Sequence, residues 1–102
     1  MVYTLTMAFE IQIAESAKRE MRAMRAFDRA RVIAAIESQL SEEPTVETTN
    51  RKRLAPVEGD VAPLWELRVG DWRVFYDVIE AEVLVVVLRI VRKGRKTTGE
   101  VL

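Results

Sequence analysis

Two arginines five positions apart, Arg68 and Arg73, sit on either side of Gly70-Asp71 in the string LWELRVGDWRVFYDV, with Glu66 and Asp77 outside them. Gly in the first central position suits a two-residue hairpin turn. Closing the turn there sets Val69 opposite Trp72, Arg68 opposite Arg73, Leu67 opposite Val74, Glu66 opposite Phe75 and Trp65 opposite Tyr76. One face of the hairpin is then apolar (Trp65, Leu67, Val69, Trp72, Val74, Tyr76, Val78), and the other carries Glu66, Arg68, Arg73 and Asp77. Like charges directly opposite one another across two strands are destabilising, so this pair requires a carboxylate neighbour or a bound anion. Glu66 and Asp77 can satisfy the two guanidiniums as an ion-pair ladder. The alternative is an anion site, because guanidinium presents a planar fork matched to phosphate and keeps its charge at every relevant pH.

Further cations flank the hairpin: Arg51-Lys52-Arg53 before it, and Arg89, Arg92, Lys93, Arg95 and Lys96 in the last segment, with no acid among these five. The chain is nonetheless neutral, with 16 Lys+Arg against 16 Asp+Glu, because Val32 to Asn50 contains Glu37, Glu42, Glu43 and Glu47 and no Lys or Arg. A charge run by itself reads as a solvated face; basic clusters that converge in space read as a cradle for phosphates. The sequence has no His and no Cys. That excludes a thiolate nucleophile, a disulfide, a Cys/His zinc site and every histidine-based triad or acid–base pair. Chemistry must fall to carboxylates, Lys, Arg, Tyr or backbone, and no metal or other cofactor is implied.

The elements that position these residues can be read from periodicity. At 102 residues the chain is one domain, residues 1–102, and 49% hydrophobic composition supplies a core. Tyr3, Leu5, Met7, Phe9, Ile11 and Ile13 alternate with polar residues, which predicts a half-buried strand. Ala17, Met21 and Met24 then recur at helical spacing, with Ser16 as the expected N-cap. Asp28 is expected to cap a second helix whose stripe is Val32, Ile33, Ile36 and Leu40, ended by Pro44. The two helices form a hairpin. From Ser41 to Pro63 periodicity is lost, and a connection this long in a compact domain is often functional. Strands are predicted over Leu64 to Val69, Trp72 to Ile79 and Val83 to Val91, the last two joined around Glu80 to Glu82. The fold class is α+β, a small antiparallel sheet in chain order β-α-α-β-β-β with the helical hairpin packed on one face. No signal peptide is read at the N-terminus and no apolar run is long enough to span a bilayer; the expected location is the cytoplasm, away from membrane.

With these elements placed, LWELRVGDWRVFYDV, an acidic turn and VLVVVLRIVRKGRK resemble the second half of a RelE/ParE-superfamily toxin of type II toxin–antitoxin modules. FEIQIAESAKREMRAM resembles the opening strand and helix of that family, and RKRL its basic lead-in. The most specific part is Leu67, Arg68, Gly70, Trp72, Arg73, Val74 and Tyr76. The resemblance implies a toxin neutralised by an acidic, partly disordered antitoxin. RelE-like members enter the ribosomal A site and cleave mRNA by attack of a ribose 2′-OH on the adjacent phosphate; ParE-like members poison DNA gyrase without evident catalytic residues. A degenerate member would only bind its antitoxin.

By position, Arg73 matches the strand arginine that contacts the scissile phosphate. Lys93 or Arg95 matches the basic residue that helps protonate the leaving group. Arg51, Lys52, Arg53, Arg68, Arg92 and Lys96 are the expected RNA-phosphate contacts. The chain departs from the RelE pattern at Leu64 and Glu66, where many members have lysines, and nothing after Tyr76 is aromatic. The general base is therefore unassigned; some relatives of the family use a carboxylate in that role, which makes Glu66 or Glu58 a candidate, with Glu66 equally placed to pair Arg68 or Arg73.

Overall fold

A computed structural model describes residues 8–54 and 65–94 of the chain. Its element order is β1 (Glu10–Ile13), α1 (Glu15–Ala23), α2 (Ala26–Leu40), β2 (Arg51–Arg53), β3 (Trp65–Val69), β4 (Trp72–Ile79), a 3₁₀ turn (Glu80–Glu82) and β5 (Leu84–Arg92). The five strands form one sheet in the order β1-β5-β4-β3-β2. It is antiparallel except where β1 joins β5 in parallel, Glu10 beside Leu84 to Ile13 beside Val87. A parallel neighbour needs a crossover rather than a hairpin, and the intervening helices and strands supply it. The class and chain order are those expected. β2 is an additional short strand within the stretch read as irregular, and the expected Tyr3–Met7 part of the first strand lies outside the described residues.

The apolar hairpin face meets the helices. Trp65, Leu67, Val69, Val74 and Tyr76 form one buried cluster with Ala17 and Met24 before α2 and with Val32, Ile36 and Leu40 along it. Ile33, expected in the stripe, is only partly buried. β5 contributes Val85, Val87 and Ile90, which cannot all share a face in a regular strand of period two. A bulge resolves this: Phe75 pairs with Arg89 but Tyr76 with Val87, so Leu88 is the extra residue and the side-chain alternation resets.

Two expected helix caps are replaced. α1 begins after Ala14, and the Ser16 hydroxyl donates instead to the Leu88 carbonyl at 2.7 Å. α2 begins after Arg25, which places Asp28 in its first turn, where a carboxylate favours the helix dipole without capping. Ser16 acts at the bulge because β1 covers β5 only as far as Val87. Beyond that point α1 covers the open edge, and Glu20 accepts the Ile90 backbone N–H at 2.7 Å and two Arg89 N–H bonds. An edge strand with unpaired backbone groups invites foreign strands, and these side chains occupy it.

The turn before the last strand is strained at one residue. Val83 has φ +50°, a conformation costly for a β-branched side chain, and its carbonyl is engaged by the Glu10 N–H at 2.9 Å, which starts the β1–β5 pairing.

Candidate anion-binding face

The β3–β4 hairpin closes in the register expected, Val69 with Trp72 through Trp65 with Tyr76, so Arg68 and Arg73 are direct cross-strand partners. Gly70 has φ +58° and Asp71 does not share the positive φ, the pattern of a turn with Gly at its first central position. Because the flanking Val69–Trp72 pair is the hydrogen-bonded one in a two-residue hairpin, Arg68 and Arg73 occupy a non-hydrogen-bonded site, where facing side chains are closest. The Arg68 N–H accordingly points away from β4 and donates to Asn50 at 2.8 Å.

Glu66 lies between the two guanidiniums. Its Oε2 is 3.9 Å from Arg68 Nε and its Oε1 is 3.8 Å from Arg73 Nε. These separations give Coulomb attraction but exceed hydrogen-bond range. Arg68 Nε, itself buried, has no hydrogen-bond partner among the described residues. Arg73 is anchored by Nη1, which donates to the carbonyls of Gly70 at 2.8 Å and Trp72 at 3.0 Å. On β2, Lys52 pairs in register with Glu66 and is exposed. By strand alternation the open face carries Glu66 with Lys52, Arg68 and Arg73 around it, and Asp77 farther along β4. The like-charge pair is held by a carboxylate that neutralises it only in part, which leaves guanidinium donors available to an anion.

The last segment joins the same end of the sheet. The Lys93 N–H donates to the Asp71 carbonyl at 2.6 Å, extending the ladder one step past β5. Arg92 Nη2 lies 3.9 Å from Asp71 Oδ2, and its guanidinium stacks over Trp72 at 5.9 Å. Both side chains are exposed. Arg95, Lys96 and Glu58 lie outside the described residues.

The Arg51–Arg53 cluster, expected to face phosphates as a unit, is divided by strand alternation. Arg51 is 8% exposed and its Nη1 donates to the Gln39 carbonyl, one of the four carbonyls that the end of α2 leaves without helical partners. It is a structural residue, removed from the open face, and its burial takes it away from the RNA phosphates it was expected to contact. Arg53 turns to a separate pocket lined by Thr45, Glu47, Trp65, Asp77, Val78 and Glu80. Only Lys52 of the three faces Glu66.

Two further groups have altered acidity. Burial raises the Asp77 carboxyl above its usual range, and among the described residues it forms no ion pair with an arginine, so the ladder expected from Glu66 and Asp77 reduces to Glu66 alone. Burial likewise pushes the Tyr76 hydroxyl far up; it stays protonated and donates to the Pro44 carbonyl at 2.7 Å. Tyr76 is thereby a core residue, stacked on Trp65. Among the described residues no group of three carboxylates is placed to hold a metal ion, and no helix is long and apolar enough to cross a membrane.

Sequence reasoning missed Arg31. Its Nη2 would lie 2.7 Å from a Cβ built on Gly70, so this α2 side chain rests against the turn backbone. Nothing local in the sequence indicates that α2 crosses beside residue 70.

A family model described as the ParE toxin of the type II toxin–antitoxin system parDE matches residues 11–97. No curated protein matches the chain in sequence. Among solved structures, a chain of the RelBE2 toxin–antitoxin complex from Mycobacterium tuberculosis superimposes with TM-score 0.72 at 22% identity, over 86% of this chain and 94% of that one. The archaeal RelE–RelB complex from Pyrococcus horikoshii gives 0.64 at 20% identity, over 90% and 100%. The isolated RelE toxin of E. coli gives 0.52 at 19% identity, over 91% and 93%. At these identities the likeness is one of fold.

Proposed function

The chain belongs to the ParE toxin family of type II toxin–antitoxin systems, within the RelE/ParE superfamily, and from that premise we propose that it is a ribosome-dependent mRNA endoribonuclease whose site is the open hairpin face. The observation that carries this reading is Glu66 held 3.8–3.9 Å from two guanidiniums without a hydrogen bond to either. A carboxylate flanked by fixed cations is what the reaction requires. Glu66 accepts the proton of a ribose 2′-OH, the 2′-oxygen attacks the adjacent phosphorus, and the bond to the 5′-oxygen breaks to leave a 2′,3′-cyclic phosphate. Arg73 and Arg68 stabilise the charge that grows on the non-bridging oxygens, from positions fixed before the reaction. Lys93, or Arg95 after it, gives a proton to the departing 5′-oxygen. Lys52, Arg92 and Lys96 hold neighbouring phosphates.

Induction of the protein followed by mapping of mRNA 5′ ends should show cuts at the ribosomal A site. The purified toxin should cut mRNA only with ribosomes present. Arg73→Ala should abolish both, since its guanidinium is fixed by two backbone carbonyls and faces the carboxylate. Intact mRNA with induction of the DNA-damage response instead would refute the nuclease reading. That outcome belongs to the second reading, a ParE-like gyrase inhibitor without catalysis, which the match to the ParE toxin family brings forward.

The partner under either reading is a cognate antitoxin, a proposal supported by similar chains solved in RelBE2 and RelE–RelB complexes, and the family resemblance implies that it is acidic and partly disordered. Acidic groups of such a segment would complement Lys52, Arg68, Arg73 and Lys93. A catalytically degenerate chain would retain this contact alone.

A further inference from the structure

Three cationic side chains from different elements meet at the Gly70-Asp71 turn. Arg31 of α2 lies against the Gly70 backbone, Arg73 of β4 donates to the Gly70 carbonyl, and Arg92 of β5 faces Asp71 at 3.9 Å. Lys93 is bound to the same turn through its backbone. Two of these guanidiniums also stack on aromatic rings. Arg92 covers Trp72, and Arg31 covers Phe27, one helical turn away, at 6.0 Å. Phe27 is 68% exposed and is the most exposed large apolar side chain described.

An exposed Phe in a protein interface normally has apolar neighbours forming the buried centre of the contact. The exposed apolar residues near Phe27 in sequence are the small Ala23, Ala26 and Ala30, Met24 being buried in the core, and Arg25 and Arg31 lie to either side. A ring with one side against a guanidinium, the rest in solvent, and phosphate-binding cations alongside matches single-stranded nucleic acid, whose unpaired bases stack on aromatic and guanidinium planes.

We infer that Phe27 and Arg31 of α2 form a base-stacking subsite for single-stranded RNA, beside the phosphates held at the Gly70 turn. This rests on the nuclease reading and names the part of its substrate that the open face does not reach: a base neighbouring the scissile phosphate, gripped through its π face and therefore without strong sequence preference. Gly70 is favoured by its positive φ, and a side chain there would have to shift the Arg31 guanidinium.

The test measures binding of a fluorescent single-stranded oligoribonucleotide and of an abasic oligomer of the same length. Phe27→Ala should weaken binding of the base-bearing strand about tenfold and leave the abasic strand unaffected, with Phe27→Trp restoring affinity. Because the ring neutralises no phosphate, the salt dependence of binding should be the same in F27A as in the wild type, whereas Arg31→Ala and Arg73→Ala should each reduce its slope by about one ion. Equal loss on both strands, or no loss, while R73A still weakens binding overturns the stacking subsite and leaves the anion face standing. A loss of antitoxin capture alone in F27A also overturns it, in favour of a protein contact. Failure of the wild type to bind either strand refutes the nuclease reading as well.

Discussion

Glu66→Gln tests the central arrangement, because it removes one charge while keeping the shape of the side chain. Glu66 is 13% exposed, Arg73 14% and Arg68 39%, at separations of 3.8 and 3.9 Å. A unit pair at about 4 Å is worth about 4 kcal/mol at an effective dielectric near 20, whereas exposed pairs measure about 0.2–1 kcal/mol. The Arg68 contact belongs near the lower figure because that side chain is well solvated, and the Arg73 contact lies between the two. Neither contact adds a hydrogen bond. The sum is about 2 kcal/mol. Urea unfolding at low salt should therefore show E66Q less stable by about that amount, with the difference shrinking as salt screens the solvated Arg68 share. The variant also leaves Arg68 and Arg73 facing each other unneutralised. Arg68→Ala in the E66Q background should then recover part of the stability, and inorganic phosphate should stabilise E66Q more than the wild type. RNA binding should tighten while cleavage is lost. A loss under about 0.5 kcal/mol at low salt, or no recovery from R68A, would refute the view that Glu66 neutralises a like-charge pair.

Tyr76→Phe removes the buried hydroxyl that donates to Pro44 and strands the carbonyl, which should cost about 1–2 kcal/mol in urea unfolding without changing RNA affinity; unaltered stability would show that water replaces the bond. Gly70→Ala must adopt φ +58° at a cost of about 1–2 kcal/mol and displace Arg31, so stability and affinity for single-stranded RNA should fall together; a change in only one would separate the turn from the subsite. Burial acts to raise the pKa of Glu20, but the Arg89 and Ile90 hydrogen bonds and the neighbouring positive charge outweigh it, so the net shift is downward from the ordinary value near 4.5. A carboxyl lowered in the folded state contributes stability that is present above its unfolded value and lost as pH falls through the folded one. Glu20→Gln should thus be less stable at neutral pH and show a flatter acid limb, and parallel wild-type and variant curves below pH about 4.5 would contradict it.

The hairpin register was legible because three local signals agree: Gly at the turn, alternation on both strands, and lengths that match. A slip of one residue would have turned every apolar side chain to solvent. The helices were legible as stripes, while their starts were not, because Ser16 and Asp28 have cap-forming side chains that tertiary contacts employ elsewhere or leave in the first turn. The β5 bulge was hidden since VLVVVLRIV is apolar on both phases and reads equally well with or without an extra residue. β2 escaped notice because three residues of strand carry no period to detect.

The candidate site divides in the same way. Arg68, Arg73 and Glu66 could be placed together from sequence, as a turn and a period of two fix which side chains share a face. Residue types alone also excluded histidine and thiol chemistry. The tertiary structure decided everything that depends on distant segments meeting: that Lys52 alone of Arg51–Arg53 stands opposite Glu66, that Arg51 goes under the end of α2, and that Arg31, stacked on Phe27, arrives at the Gly70 turn. Local sequence specifies dihedral preferences and faces, but the crossing of a helix over a strand is set by the packing of the whole core. A charge's neighbours across that crossing therefore become visible only when the chain is folded.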